Sequence, residues 1–470
     1  MKQTARPTLL PLDKTSSDPL YRQIYQRIRA SIAESLLNPG DRLPSARQLA
    51  KELGLARGTI EAAYALLTAE GYLQSRGQAG TRVTPGLHTP PIQNAALPVS
   101  PAHQNGMHPA RIMPLQMGLP ALDAFPRKIW ARLGARYLRA MQAQDMKYPA
   151  HFGLPALRAA VAAYLQMARG IHCNASQVFI TSGYRGTLQL IFHTLLKPDD
   201  KIWVEDPGFP LTRELLSQAG MQQIEVPVDA EGIEVAKGLA MAPEARAAIV
   251  TPAHQSPLCV SLSLPRRLAL LEWAASRESW IIEDDYDGEY RYVSRPLPAL
   301  KSLDNQGRVL YCGTFSKVLF PGIRLAYLVV PEQQVARFEQ ANLGFFDAMS
   351  EMPQAIVSEF ILEGHFSRHI HRMRKLYAER REQAVQGLMA ILGHYLNVEP
   401  QPGGMHLILR LTAQHDDRQV AARMRENGLY AHALSNWSTR AKERGLLIGF
   451  TNIESRQQAE KLGRQILALL

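Results

Sequence analysis

Three cysteines, Cys173, Cys259 and Cys312, are scattered through 470 residues. An odd and widely spaced set argues against a disulfide framework and against a zinc site. No run of 18 apolar residues occurs, so no transmembrane helix and no membrane partner are expected. The first residues, MKQTARPTLLPLDKTSSDPLY, lack a continuous apolar segment and a small-residue cleavage site. Secretion is therefore not expected, and a reducing cytoplasm is. No internal repeat is visible. Residues 84–114 hold seven prolines and a single charged side chain, Arg111, with no apolar period. That composition reads as an extended, semi-stiff linker between two bodies.

The rest is ordinary in bulk and uneven in detail. A hydrophobic content of 46% and a charged content of 20% belong to a soluble globular chain. Its length calls for two or three domains. Net charge is +11, and residues 1–83 hold twelve Lys/Arg against seven Asp/Glu. The remaining 387 residues carry the other +6, so charge is densest at the N-terminal end and points there to a polyanion.

Residues 15–83 read as three helices and a hairpin. Leu20, Ile24, Ile28 and Ile32 recur at helical spacing, and Asn38-Pro39-Gly40-Asp41 stops that helix. Pro44-Ser45 opens a second helix that Gly54 closes. A third runs from about Ala56 to Glu70 with Ile60, Tyr64 and Leu67 inward, and Tyr72 to Val83 forms a two-stranded wing. This is the winged helix-turn-helix plan.

From residue 115 apolar strands are expected at 177–181, 201–205, 223–228, 246–251, 279–284, 308–312 and 325–330. Helices such as 186–196, 210–219 and 264–276 lie between several of them, which implies a mainly parallel α/β sheet covered on both faces. After about residue 350 come long helices, strands at 405–411 and 446–451 and a last helix, a smaller α+β lobe.

Ligands collect at the carboxyl ends of parallel strands, and the strand ends here agree on one chemistry. Lys317, in GTFSKVLFPGIR, stands between two apolar strands, where desolvation lowers its pKa and makes it a nucleophile toward an aldehyde. Thr314 and Ser316 offer hydroxyls and Arg324 a fork for phosphate. Ser182-Gly183-Tyr184-Arg185-Gly186-Thr187 offers free N–H groups at a helix start. Phe209, in EDPGF, places a ring at another end, and Glu283-Asp284-Asp285-Tyr286-Asp287 sets carboxylates after a buried strand. One of these facing a protonated pyridine would be compensated, and Tyr286 could bond the ring's phenolic oxygen. A Schiff-base lysine, a phosphate cradle and an acid for a ring nitrogen are what pyridoxal 5′-phosphate requires. Each motif alone has a plain alternative: a surface lysine, an ordinary turn, a core aromatic, a solvated charge run. Cys259 and Cys312 are expected to pack as small hydrophobes.

With these motifs in order behind LPSARQLAKELGLARGTIEAAYALLTAEGYL, the chain resembles the MocR/GabR family of bacterial transcriptional regulators. These join a GntR-type winged helix to a fold-type I aminotransferase-like domain, here residues 115–470. The resemblance implies that Lys317 forms the internal aldimine, Asp284 pairs with the pyridine nitrogen, Tyr286 contacts the phenolic oxygen and Phe209 stacks on the ring. It places Gly183, Tyr184, Arg185, Thr314, Ser316 and Arg324 around the phosphate. Tyr148 corresponds to the tyrosine that reaches the partner subunit's cofactor in a homodimer. Arg47, Arg57, Gly58 and Thr59 fall at the DNA-contacting positions, and Arg76 and Gly77 at the wing tip.

The chain departs from the family at several points. Pro257-Leu258-Cys259 stands where Pro-Thr-Gly is usual, Tyr184 where a small residue is usual, and Pro210-Leu211 where the GABA-sensing member has an arginine. GABA is thus not the expected effector. Arg410, Arg440 and Arg444 are candidates for an effector carboxylate. The function expected is a regulator that binds a double-stranded operator and senses the cofactor or a small amine or amino acid. It would have little or no transaminase activity. An aminotransferase with an accessory DNA-binding head needs the same cofactor residues, so the alternative stays open. Binding of an amino compound without the cofactor is the third reading.

Overall fold

In the computed structural model the described residues are 12–13, 16, 18–75, 80–87, 112–292, 298–399, 403–412, 415–440 and 444–470. The chain divides into two units, residues 1–108 and 109–470.

The first unit holds α1 (Leu20–Ala33), α2 (Ala46–Leu53), α3 (Arg57–Ala69), β1 (Leu73–Ser75) and β2 (Thr81–Val83). Ile24, Ile28 and Ile32 of α1 are buried against Ile60 and Leu67 of α3, with Leu73 and Val83 of the hairpin closing the core. A fully buried Ile contributes about 1.5–3 kcal/mol, so a few such contacts hold a unit this small. Ser45 caps α2 by accepting from the Gln48 N–H at 3.2 Å, and Gly54 ends it at φ 64°. β1 and β2 pair antiparallel, Leu73 opposite Val83.

The second unit begins with α4 (Arg127–Ala140) and α5 (Pro155–Arg169). It continues through β3 (Val178–Thr181), α6 (Tyr184–Leu195), β4 (Lys201–Asp206), α7 (Pro210–Gln218), β5 (Gln222–Asp229), β6 (Gly232–Ile233), α8 (Val235–Met241), β7 (Ala247–Val250), α9 (Leu264–Ser276), β8 (Trp280–Asp285), β9 (Val309–Thr314) and β10 (Ala326–Val329). Then come α10 (Val335–Phe345), α11 (Glu351–Leu362), α12 (His365–Leu392), β11 (Leu396–Val398), β12 (His406–Leu411), α13 (Asp417–Glu426), β13 (His432–Ala433), β14 (Gly445–Gly449) and α14 (Arg456–Leu467).

The large sheet runs β3-β10-β9-β8-β7-β4-β5-β6. β5, β4, β7, β8 and β9 are parallel neighbours, while β10 lies antiparallel between β3 and β9. The sheet is therefore mixed, because β10 returns directly after the Lys317 segment with no crossover helix to reverse it. Apolar side chains cover both faces, with Trp203 stacked on Trp273 at 4.0 Å on one of them. The C-terminal lobe is an antiparallel sheet, β11-β12-β14-β13, with Met373, Tyr377 and Leu388 of α12 in its core. β11 and β13 were too short to show in the sequence pattern.

Candidate functional site

β8 and β9 pair in parallel with Asp284 opposite Cys312, so Asp284 and the Lys317 segment leave the sheet at the same edge. Lys317 lies in the connection from β9 to β10, half-buried, and its Nζ donates to the Gly118 carbonyl at 2.9 Å. Burial lowers its pKa, while Asp287 and Asp284 limit the fall. Asp284 is buried, and burial followed by repulsion from Asp285, Glu205 and Asp287 raises its pKa well above the usual carboxylate range. The Tyr184 hydroxyl meets this carboxylate and is also 2.8 Å from Thr212 Oγ1.

A cavity at this edge is lined by Tyr184, Glu205, Phe209, Thr212, Arg213 and Asp284, among others. The Phe209 ring stands 5.5 Å from Trp437 and 6.0 Å from Tyr184. Glu205, the first residue of EDPGF, carries no sign of this role in the sequence. Burial pushes its pKa up to about 7, against hydrogen bonds from Thr251 and Gln255.

α6 starts at Tyr184 with no side-chain cap, and Gly183 precedes it at φ 106°. A Cβ on Gly183 would stand 3.3–3.4 Å from the Arg324 guanidinium. Arg324 is exposed and forms no ion pair among the described residues. A guanidinium and an uncapped helix N-terminus are both positive, and their juxtaposition is favourable only around an anion. Thr314 Oγ1 accepts from the Ser316 N–H at 3.1 Å in the same segment. A phosphate fits the first pair, and a protonated pyridine nitrogen fits the buried Asp284 carboxylate. The residues present thus suit pyridoxal phosphate.

Two predicted cofactor residues stand elsewhere. The Arg185 guanidinium turns toward α7, 3.8 Å from Glu214, so only its backbone N–H remains at the helix start. Tyr148 is 95% exposed and does not line the cavity. Of the carboxylate candidates, Arg410 pairs with Glu399 at 2.8 Å and Arg440 lies 3.9 Å from Asp206. Cys312 is buried as expected, and its thiol is pushed up by burial. Cys259 is also buried, but at φ 62° and with its Sγ 3.2 Å from His406 Nε2. Burial raises its pKa, but His406 and His254 outweigh it and hold the thiol at about 6.

In the first unit Arg47 lies exposed in the first turn of α2, and Arg57, Gly58 and Thr59 form the first turn of α3. Neither turn contains an acidic residue, and α3 has no side-chain cap. Its first N–H groups and Arg57, paired loosely with Glu61 at 2.7 Å on an exposed face, are open to phosphates. Arg76 and Gly77 lie outside the described residues.

A lysine and an acid at the carboxyl edge of this sheet, beside an anion cradle, define a pyridoxal phosphate domain of the aminotransferase type. The winged helix ahead of it defines a DNA-binding regulator. Residues 111–445 match the aminotransferase class I and II family, and residues 20–83 the bacterial regulatory proteins of the gntR family. The probable rhizopine catabolism regulatory protein MocR of Rhizobium meliloti is 33% identical, over 96% of this chain and 94% of its own. The pyridoxine biosynthesis transcriptional regulator PdxR of Corynebacterium glutamicum is 32% identical, covering 91% of each. Among solved structures, Pyrococcus horikoshii kynurenine aminotransferase, in complex with PMP, superposes at TM-score 0.68 and 26% identity, over 76% of this chain and 91% of that one. The chain belongs to the MocR-type transcriptional regulators, DNA-binding proteins that carry an aminotransferase-like pyridoxal phosphate domain. No helix among the described residues is long and apolar enough to cross a membrane.

Proposed function

We propose that this regulator senses pyridoxal phosphate, or an amine that reacts with it, at Lys317 and passes the change to the DNA-binding unit. The observation that carries the reading is the Arg324 guanidinium, without an ion-pair partner among the described residues, over the bare α6 N-terminus beside Lys317 and Asp284. When bound, the cofactor supplies an electrophilic aldehyde and an electron-withdrawing ring. Lys317 holds it covalently, Asp284 keeps the ring nitrogen protonated and Tyr286 meets its phenolic oxygen. Phe209 covers one face, while Gly183, the Tyr184 and Arg185 N–H groups, Thr314, Ser316 and Arg324 enclose the phosphate. Residues 84–114 act as the linker between residues 15–83 and the effector domain at 115–470.

Tyr148 and its neighbour Met146, 69% exposed, support a homodimer in which Tyr148 reaches across to the second site. Two winged helices would then read two half-sites. The chain works in the cytoplasm, where its operator is. An ordinary aminotransferase remains the second reading, because it needs the same cofactor residues; steady turnover of an amino acid and a keto acid at 1 s⁻¹ or above, roughly the range of working enzymes, favours it.

Gel shifts on the chain's own promoter, with and without pyridoxal phosphate and candidate amines, test the reading. Affinity that ignores them all refutes sensing. Arg57→Ala is expected to weaken operator binding roughly tenfold or more, since one arginine contact carries about 1–3 kcal/mol. Its cofactor spectrum should match the parent, and its salt dependence should flatten by about one phosphate contact. Arg324→Ala should weaken pyridoxal phosphate about 10-fold or more and leave pyridoxal binding nearly unchanged, because the lost bond is charge-assisted. Equal weakening of both would remove Arg324 from the phosphate.

A further inference from the structure

Three of the four carboxylates at the end of β8 and just past it already have work. Glu283 accepts from the Leu300 and Lys301 N–H groups at 2.7 and 2.8 Å. Asp285 pairs with Arg169 at 2.9 Å, and Asp284 faces the cavity. Asp287 is 1% exposed and stands 2.9 Å from His254 Nδ1. The same ring nitrogen is 3.0 Å from the Tyr286 hydroxyl.

One nitrogen cannot both donate and accept. A carboxylate oxygen at 2.9 Å requires a hydrogen on Nδ1, because a lone pair there would repel it. With that hydrogen in place, Nδ1 cannot accept from Tyr286, so the tyrosine proton must point away from the imidazole. Burial opposes a charge on His254, but Asp287 and then Cys259 hold its pKa well above that of free histidine. The groups facing it are Asp287 and Tyr286 after β8, Cys259 in the turn after β7 and His406 at the head of β12, whose ring lies 5.9 Å away. Gly404, at φ 86°, closes the other side. A Cβ there would stand 2.1 Å from His254 Cε1, so only glycine lets the ring sit in this place.

We propose that Asp287 and His254 are positioning residues that direct the Tyr286 proton toward the phenolic oxygen of the cofactor. This rests on the reading above, in which Lys317 and Tyr286 face pyridoxal phosphate. A hydrogen bond donated to that oxygen draws electron density from it and weakens its hold on the neighbouring proton. Losing the bond therefore raises the pH at which the bound cofactor's visible absorbance changes.

The experiment is a pH titration of that absorbance in the full-length, cofactor-loaded protein. Tyr286→Phe is expected to raise the midpoint by about one pH unit. Asp287→Asn allows Nδ1 to accept, so the tyrosine proton turns back to His254 and the midpoint rises by at least about half as much. In the double variant the midpoint should equal that of Tyr286→Phe alone, a non-additivity that a merely structural role would not produce. An unmoved midpoint in Asp287→Asn, or a full additional shift in the double variant, overturns the proposal while leaving the cofactor site intact. An unmoved midpoint in Tyr286→Phe overturns the placement of Tyr286 itself. If Asp287→Asn does not accumulate folded, Asp287→Ala, which likewise frees Nδ1 to accept, is read the same way.

Discussion

With alanine at position 317, protein saturated with pyridoxal phosphate is expected to show no visible absorbance beyond that of the free cofactor. The effect is all-or-none because the covalent link depends on one amine. Lys317 is half-buried, and burial lowers its pKa, so a larger fraction of it is the neutral nucleophile at neutral pH. Asp287 and Asp284 limit that fall, which leaves the amine poised. Lys301, also half-buried, is committed to Asp304 at 3.8 Å and donates to the Val309 carbonyl, so it cannot stand in. Operator affinity in Lys317→Ala should also stop responding to the cofactor. A variant that keeps the parental spectrum removes Lys317 from the site. One that loses the spectrum but keeps a cofactor-dependent gel shift separates binding from covalent sensing.

Much of this site could be read in the sequence because each of its parts follows a buried apolar strand directly. Asp284 ends WIIED, Phe209 follows KIWVED and Lys317 follows VLYCGT, so locating the strands located the residues. Their meeting at one edge follows from parallel pairing. What stayed hidden was direction and distance. An apolar run carries no sign of which way it lies, so the antiparallel β10 looked like its parallel neighbours. The resemblance sets Arg185 at the phosphate, yet its long side chain lies toward Glu214. Position along the chain fixes a backbone N–H far better than it fixes a guanidinium. His254 and Asp287 are 33 residues apart and meet only because their strands are neighbours in the sheet.

Arg169 is the strongest case of the same kind. At the end of α5 it reads as a favourable cation at a helix C-terminus. In the fold it is 2% exposed and lies 2.9 Å from Asp285 and 3.4 Å from Glu289, and it donates to the Gly288 carbonyl at 3.0 Å. Tyr311 and Tyr164 complete the cluster by donating to Asp285 and Glu289 at 2.6 and 3.0 Å. Arg169→Met keeps most of the volume and removes the charge, leaving two buried carboxylates without a cation. Breaking a buried pair in this way costs about 3–5 kcal/mol. That is a large share of the roughly 5–15 kcal/mol that stabilises a domain.

The loss should fall on the thermal transition of the second unit and spare that of the winged helix. Its pH dependence has a definite sign. Burial already raises the Glu289 pKa and Arg169 opposes that rise, so without Arg169 it climbs further above the unfolded value and the charged form destabilises the fold more at neutral pH. Protonation relieves that penalty, and the deficit against the parent should narrow as pH falls toward about 5. Cofactor affinity should fall as well, since Asp285 already pushes the Asp284 pKa upward and an uncompensated Asp285 pushes it further. A neutral Asp284 grips a protonated ring nitrogen poorly. Arg169→Met combined with Asp285→Asn should recover part of both losses, because it removes the stranded charge along with its partner. A deficit that is flat with pH, or undiminished in the double variant, would mean that Arg169 acts through packing alone.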